Sequence, residues 1–220
     1  MNDVGFYGKL ACRGDFVSRG LPTSFIQPWD QWLAAGIQAS QRQLGEQWLQ
    51  AYLVSPLWRF ALAPGVCGPQ AVVGVLMPSI DRVGRYFPLT VAQVLEPGQR
   101  LAAAVGGGEA WFEEVEATLL ATLEPDADFD AFAAALQPFR DTRPLPQAMP
   151  ARLTVGGLQR LDATTPEGRA LALAECACEG MSLWWGRGSE RIAPGLMRCA
   201  GLPRSEDFAG FLLGSEADFG

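Results

Sequence analysis

Histidine is absent from this chain, and the absence excludes more chemistry than any residue present suggests. It removes imidazole acid–base catalysis, Ser–His and Cys–His nucleophile pairs, and the commonest metal ligand. Lysine occurs once, at Lys9, so lysine chemistry rests on one side chain. Charged residues are only 19% of the total. No apolar run approaches the roughly 20 residues of a membrane-crossing helix. The opening Met1-Asn-Asp-Val4 has no basic patch and no following apolar stretch, so a secretory signal is not expected. The expected location is the cytoplasm, without membrane insertion. Five cysteines, Cys12, Cys67, Cys176, Cys178 and Cys199, are odd in number and irregularly spaced, which suits reduced, packed thiols. Cys176-Ala-Cys178 lacks the spacing of a zinc half-site, and neither metal nor cofactor is expected.

What is present is apolar and aromatic: 49% hydrophobic residues and 7 tryptophans in 220 residues. That describes a globular chain with enough length for one sizeable core. A single domain over residues 1–220 is the expectation. The net charge of −7 is unevenly placed. Residues 1–100 carry 8 basic and 6 acidic side chains, whereas residues 101–220 carry 9 basic and 18 acidic ones. Between Arg100 and Arg140 there is no basic residue, against Glu109, Glu113, Glu114, Glu116, Glu124, Asp126, Asp128 and Asp130. Such asymmetry disfavours nucleic acid and anionic membranes as partners and suits a protein of complementary charge.

Periodicity lays out the elements. A first strand is expected over Val4–Leu10. Phe25, Trp29, Trp32, Leu33, Gly36 and Ile37 form one apolar stripe at helical spacing, with Pro28 expected in the first turn. Leu44, Trp48, Leu49, Tyr52 and Leu53 continue as a second stripe, ended by Ser55-Pro56. Strands follow over Trp58–Ala63, Ala71–Met77 and Tyr86–Leu95, the first two joined through Pro64-Gly65 and Gly68-Pro69. Pro88 suggests that the third begins near an edge or bulge. Two acidic amphipathic helices come next, then a proline-rich connection through Pro138, Pro144, Pro146 and Pro150. The tail reads as strand Leu153–Val155, helix Pro166–Glu179, strands Met181–Trp185 and Leu196–Ala200, and a last helix over Ser205–Leu213. The expected class is α/β: a mixed β-sheet flanked by helices in a three-layer α/β/α-like sandwich.

Several motifs fail on inspection. Gly106-Gly-Gly108 lacks the Lys-Ser/Thr ending of a phosphate loop and reads as a flexible entry to the helix at Glu109. Asp126-Ala-Asp-Phe-Asp130 imitates half a calcium loop, but Ala131 and Gln137 occupy positions that need Gly and Glu. Helix capping by Asp126 or Asp128 is the better account. Cys12-Arg13 has Ser18 where a cysteine phosphatase needs arginine.

Two segments remain. Met77-Pro-Ser-Ile-Asp-Arg-Val-Gly-Arg-Tyr-Phe-Pro-Leu-Thr90 sets Asp81, Arg82 and Arg85 in one short turn between apolar strands. Gly5-Phe-Tyr-Gly-Lys-Leu-Ala-Cys-Arg-Gly-Asp-Phe-Val17 carries Arg13 and Asp15 in a similar setting. Rigid strands holding Arg/Asp-rich connections make either an internal ion-pair network or a recognition surface. Catalysis on a phosphate or acyl group through Asp81, Arg82 and Arg85 is a further alternative.

These segments, with Trp29-Asp-Gln-Trp32, Ser55-Pro-Leu-Trp-Arg-Phe-Ala-Leu-Ala-Pro-Gly65, Ser182-Leu-Trp-Trp185 and Arg198-Cys-Ala-Gly-Leu-Pro203, resemble the TagF family of type VI secretion-associated proteins. The likeness spans essentially the whole chain and is most specific over residues 5–90. Ala11-Cys12 departs from the Pro-Ser or Pro-Ala expected there. The resemblance implies an α/β sandwich and a bacterial cytoplasmic regulator, not an enzyme. It implies post-translational repression of secretion-system assembly through a forkhead-associated-domain scaffold protein. Arg13, Asp15, Asp81, Arg82 and Arg85 are the expected interaction or structural network. A structural accessory role in the apparatus is a further alternative.

Overall fold

The computed structural model describes residues 4–96, 99–140, 152–155, 158–161 and 164–213. Strands β1 (Val4–Gly8) and β2 (Val17–Arg19) precede the long helix α1 (Thr23–Leu44) and the short α2 (Trp48–Leu53). Strands β3 (Trp58–Leu62), β4 (Val72–Met77) and β5 (Leu89–Val94) follow, then helices α3 (Leu101–Gly107), α4 (Glu109–Leu120) and α5 (Phe129–Ala135). A hairpin of β6 (Arg152–Val155) and β7 (Leu158–Leu161), helix α6 (Pro166–Cys178), strands β8 (Met181–Gly186) and β9 (Gly195–Ala200), and α7 (Gly210–Leu213) complete the order.

Seven strands form one sheet in the order β2-β1-β5-β4-β3-β8-β9. Every pairing in it is antiparallel, which corrects the expectation of a mixed sheet. The reason lies in burial. Strands β3 and β4 are buried at every position, so the polar/apolar alternation that marks an antiparallel strand is missing.

Alternate residues of the inner strands feed two separate cores. Trp58, Phe60, Leu62, Leu76, Ala92 and Trp184 pack with Phe25, Trp29, Trp32, Leu33 and Ile37 of α1 and with Phe208 and Phe211. Ala61, Val73, Val75, Met77, Leu89, Val91 and Leu183 pack instead with Leu101, Phe112, Val115, Leu119 and Phe132. In the first core the Trp29 and Trp184 rings stack 5.9 Å apart at 5°. The buried Trp29 indole donates to Thr90 Oγ1 at 2.9 Å, tying α1 to the central strand β5. Gly36 lets the chain at Phe208 approach α1, since a Cβ there would meet the Phe208 ring at 2.3 Å.

Local sequence explains most boundaries. Asp128 caps α5, accepting from the Asp130 and Ala131 amides at 2.9 and 3.1 Å, as its position suggested. Pro28 lies inside α1, beyond the first turn expected for it. Its missing N–H frees the Ser24 carbonyl, beside which the turn at Gly68 packs. Pro88 precedes β5, so a strand with neighbours on both sides tolerates it. Gly106 and Gly107 end a helix, α3, that the triple glycine concealed. Only Gly108 caps the entry to α4. Strands β2 and β7 were also not anticipated. Pro144, Pro146 and Pro150 lie outside the described residues.

Candidate functional site

The two Arg/Asp segments meet at one end of the sheet, because β1 and β5 are hydrogen-bonded neighbours and β4 lies beside β5. The chain leaves β4 at Met77, turns through Ser79–Phe87 and re-enters as β5. The loop after β1 lies against that turn. The Arg82 amide donates to the Arg13 carbonyl at 2.9 Å, and Ser79 Oγ donates to the Lys9 carbonyl at 2.8 Å.

Asp81 is the centre of the arrangement, and its side chain is wholly inaccessible to solvent. Oδ1 accepts the backbone N–H groups of Val83 and Arg85 at 3.0 and 2.9 Å. Oδ2 accepts Lys9 Nζ at 3.0 Å and Arg85 Nε at 2.6 Å. Burial opposes the carboxylate charge. The Arg85 amide, the Lys9 ammonium, the Arg85 guanidinium and the Val83 amide outweigh it and hold Asp81 well below the usual carboxylate range. The same hydrogen bond, with the Asp81 charge, raises the Arg85 guanidinium above its ordinary value. The turn closes through Gly84 at φ +89°, a conformation that favours glycine.

The five expected residues divide sharply. Asp81 is an internal clamp. Arg85 bridges it to the other loop, donating to the Gly14 carbonyl and reaching Asp15 Oδ1 at 3.6 Å. The Asp15 side chain is almost fully exposed, so that contact is weakly stabilising. Arg13 turns the other way, its guanidinium 4.6 Å above the Phe129 ring of α5. Arg82 is exposed and its side chain has no hydrogen bond or ion pair among the described residues.

Lys9, the one lysine, is the member the sequence reading left out of the network. Its scarcity was the available signal. Tyr52 from α2 is another. Its hydroxyl donates to the Ser79 carbonyl at 2.9 Å and accepts the Ser79 N–H at 3.0 Å. Around this frame an apolar surface is exposed: Phe16 is 49% and Val83 65% accessible. Phe16 stacks on Tyr7 at 5.7 Å and meets Phe87 edge-on at 4.8 Å, so it is held in place although exposed.

The acidic helix α4 is less available than its composition suggested. Arg59 projects from β3 beneath it and donates to Glu116 at 2.6 and 3.0 Å and to Glu109 at 2.7 Å. Burial works against the Arg59 charge, but Glu116 and then Glu109 more than offset this and raise its pKa above the ordinary value. Glu113 pairs with Arg187 at 2.5 Å. Three of the acids are therefore structural. No cluster of three or more metal-ligating side chains occurs among the described residues. No helix there is long and apolar enough to cross a membrane.

The comparisons give the class that the geometry alone does not: a type VI secretion-associated protein. The family model for the TagF N-terminal domain, type VI secretion system-associated, matches residues 5–139, and the chain belongs to that family. The crystal structure of PA0076 from Pseudomonas aeruginosa PAO1 is similar over 97% of this chain and 95% of that one. The two share 56% sequence identity with a TM-score of 0.90. No functionally curated protein matches.

Proposed function

We propose that this protein is a cytoplasmic negative regulator of type VI secretion assembly. It acts as one domain, a three-layer helix–sheet–helix sandwich, by binding the forkhead-associated-domain scaffold. The docking surface is the pair of loops carrying Arg13, Phe16, Arg82 and Val83. The observation that carries the reading is the contrast between neighbours in one turn. Asp81 and Arg85 immobilise the turn, while the side chains of Arg82 and Val83 project from it into solvent, that of Arg82 with no hydrogen bond or ion pair among the described residues. A preorganised, exposed arginine beside apolar side chains is the composition of a binding hot spot.

Enzymatic use of Asp81, Arg82 and Arg85 has weaker support. Both Asp81 oxygens are occupied and the carboxylate is sealed from solvent, so it offers no lone pair to a substrate.

The test is binding of purified scaffold to the Arg13→Glu/Arg82→Glu double variant. Arg85 is left intact because it is part of the clamp. The expected result is at least about tenfold weaker binding with a melting temperature lowered by only a few degrees, since neither guanidinium holds a buried charge and Arg13 loses only its contact with the Phe129 ring. Full-strength binding by the folded variant rejects this surface. If wild-type protein does not bind the scaffold at all, the repressor reading itself fails.

A further inference from the structure

Strand β9 closes one end of the sheet and is built unlike the opposite end. The terminal strand β2 has 3 residues, and its Arg19 lies over the Phe6 and Phe129 rings at 6.0 and 5.1 Å. Strand β9 has 6 residues in unbroken register with β8, with no bulge and no proline among them. Its outer edge meets no strand among the described residues. Natural sheets blunt such edges with short strands, prolines, bulges or projecting charges. Here the single charge, Arg198, is folded back, its Nε donating to the Ala177 carbonyl at 2.7 Å. Leu196 and Met197 remain 61% and 40% accessible.

Beside this edge runs a groove of about 540 Å³, lined along the whole strand and floored by Trp58, Trp184 and Phe211. Arg204 and Asp207 charge the groove, while the Arg198 side chain lies on the opposite face of β9, beside Leu183, and forms no ion pair among the described residues. Arg204 is only loosely engaged, 3.5 Å from Glu206 with both side chains exposed.

We propose that the β9 edge is a docking strand for an extended, acidic-and-apolar segment of another protein, which adds antiparallel to the sheet. Main-chain hydrogen bonds supply affinity, and the groove selects alternate side chains. A second copy of this chain fits less well. A two-fold axis through the sheet must pair residues of the same face, so the central registers place Arg198 opposite or diagonal to its own copy. An added strand of alternating apolar and acidic residues lays its apolar side chains over the groove and its acidic ones over Arg198 on the other face. This surface is separate from the loops carrying Arg82 and does not depend on their role.

The test uses full-length protein and a fluorescent seven-residue peptide alternating valine with glutamate, long enough to span the strand's roughly 20 Å. Saturable binding is expected, at least about tenfold weaker when alternate peptide amides are N-methylated and weakened as salt rises from about 50 to about 500 mM. Met197→Glu, which places a like charge on the edge, should weaken binding about tenfold or more while melting as wild type does; Arg198→Glu/Arg204→Glu should weaken it likewise, with a lower melting temperature from the lost Arg198 bond to the Ala177 carbonyl. No saturation by about 1 mM peptide, or equal binding of the N-methylated peptide, overturns the proposal. So does sedimentation as a dimer that Met197→Glu dissociates, since a second copy then owns the edge.

Discussion

Replacing Tyr52 with phenylalanine removes one oxygen and tests whether the Arg82 turn is fixed from beneath. The hydroxyl is fully buried and burial raises its pKa, so it serves as a neutral donor and acceptor. It donates to the Ser79 carbonyl at 2.9 Å and accepts the Ser79 N–H at 3.0 Å. The carbonyl keeps a second donor, the Phe87 amide at 3.1 Å, but the Ser79 N–H is left buried without an acceptor. Each neutral hydrogen bond is worth about 0.5–1.5 kcal/mol, and a stranded buried donor costs about 1–3 kcal/mol. The sum of one lost bond and one stranded donor predicts a loss of about 1.5–4.5 kcal/mol, or roughly 3–18 °C in melting temperature for a chain of this size. The ring itself stays, stacked on Trp48 at 4.9 Å and edge-on to Tyr86 at 5.8 Å, so no cavity term enters.

Urea unfolding and calorimetry measure the loss. Amide exchange over Asp81–Phe87 should accelerate more than exchange in β4. Tyr86→Phe is the control, because the half-buried Tyr86 hydroxyl has no hydrogen bond among the described residues. Its effect should stay within about 0.5 kcal/mol. A Tyr52→Phe loss below about 0.5 kcal/mol, or one matched by Tyr86→Phe, refutes the reasoning.

Arg59→Met should destabilise by about 3 kcal/mol, because the buried Glu116 keeps only the exposed Arg187 at 3.6 Å. Arg59→Met/Glu116→Leu should recover most of that by urea titration, and a double variant no better than the single one refutes the account. Burial pushes the Cys67 thiol up to about 12. Unfolded chains release that proton from about pH 8.5, while folded ones retain it. The unfolded state then binds fewer protons, so stability is intact below about pH 8.5 and falls as pH rises towards about 12. Cys67→Ala should lose less stability than wild type between about pH 8 and about pH 10.5, and identical losses reject this burial effect.

Much of the fold was legible because it was written locally. The α1 stripe from Phe25 to Ile37 is the buried face of that helix, since helical period alone decides which residues share a face. The turn between β3 and β4 was readable from Pro64-Gly65 and Gly68-Pro69, and the Gly65 amide does bond the Gly68 carbonyl at 2.8 Å. Strand direction was not legible, because two buried faces erase the alternation that distinguishes an antiparallel strand. Helix α3 was hidden because its last residues, Gly106 and Gly107, have poor helix propensity that tertiary packing of Leu101 and Ala104 overrides.

The sequence by itself determined the chemistry available: no imidazole, one lysine ammonium, and an aspartate followed by two arginines in a short turn. It also determined that Asp81 and Arg85 would be close, since four residues of turn leave them little freedom. Only the tertiary structure decided that Asp81 is a sealed clamp, that Lys9 completes it, and that Arg82 is left to solvent. Lys9 reaches Asp81 because β1 pairs with β5 across more than eighty residues of chain. That contact depends on strand order, a property of the whole packed sheet that no local pattern encodes.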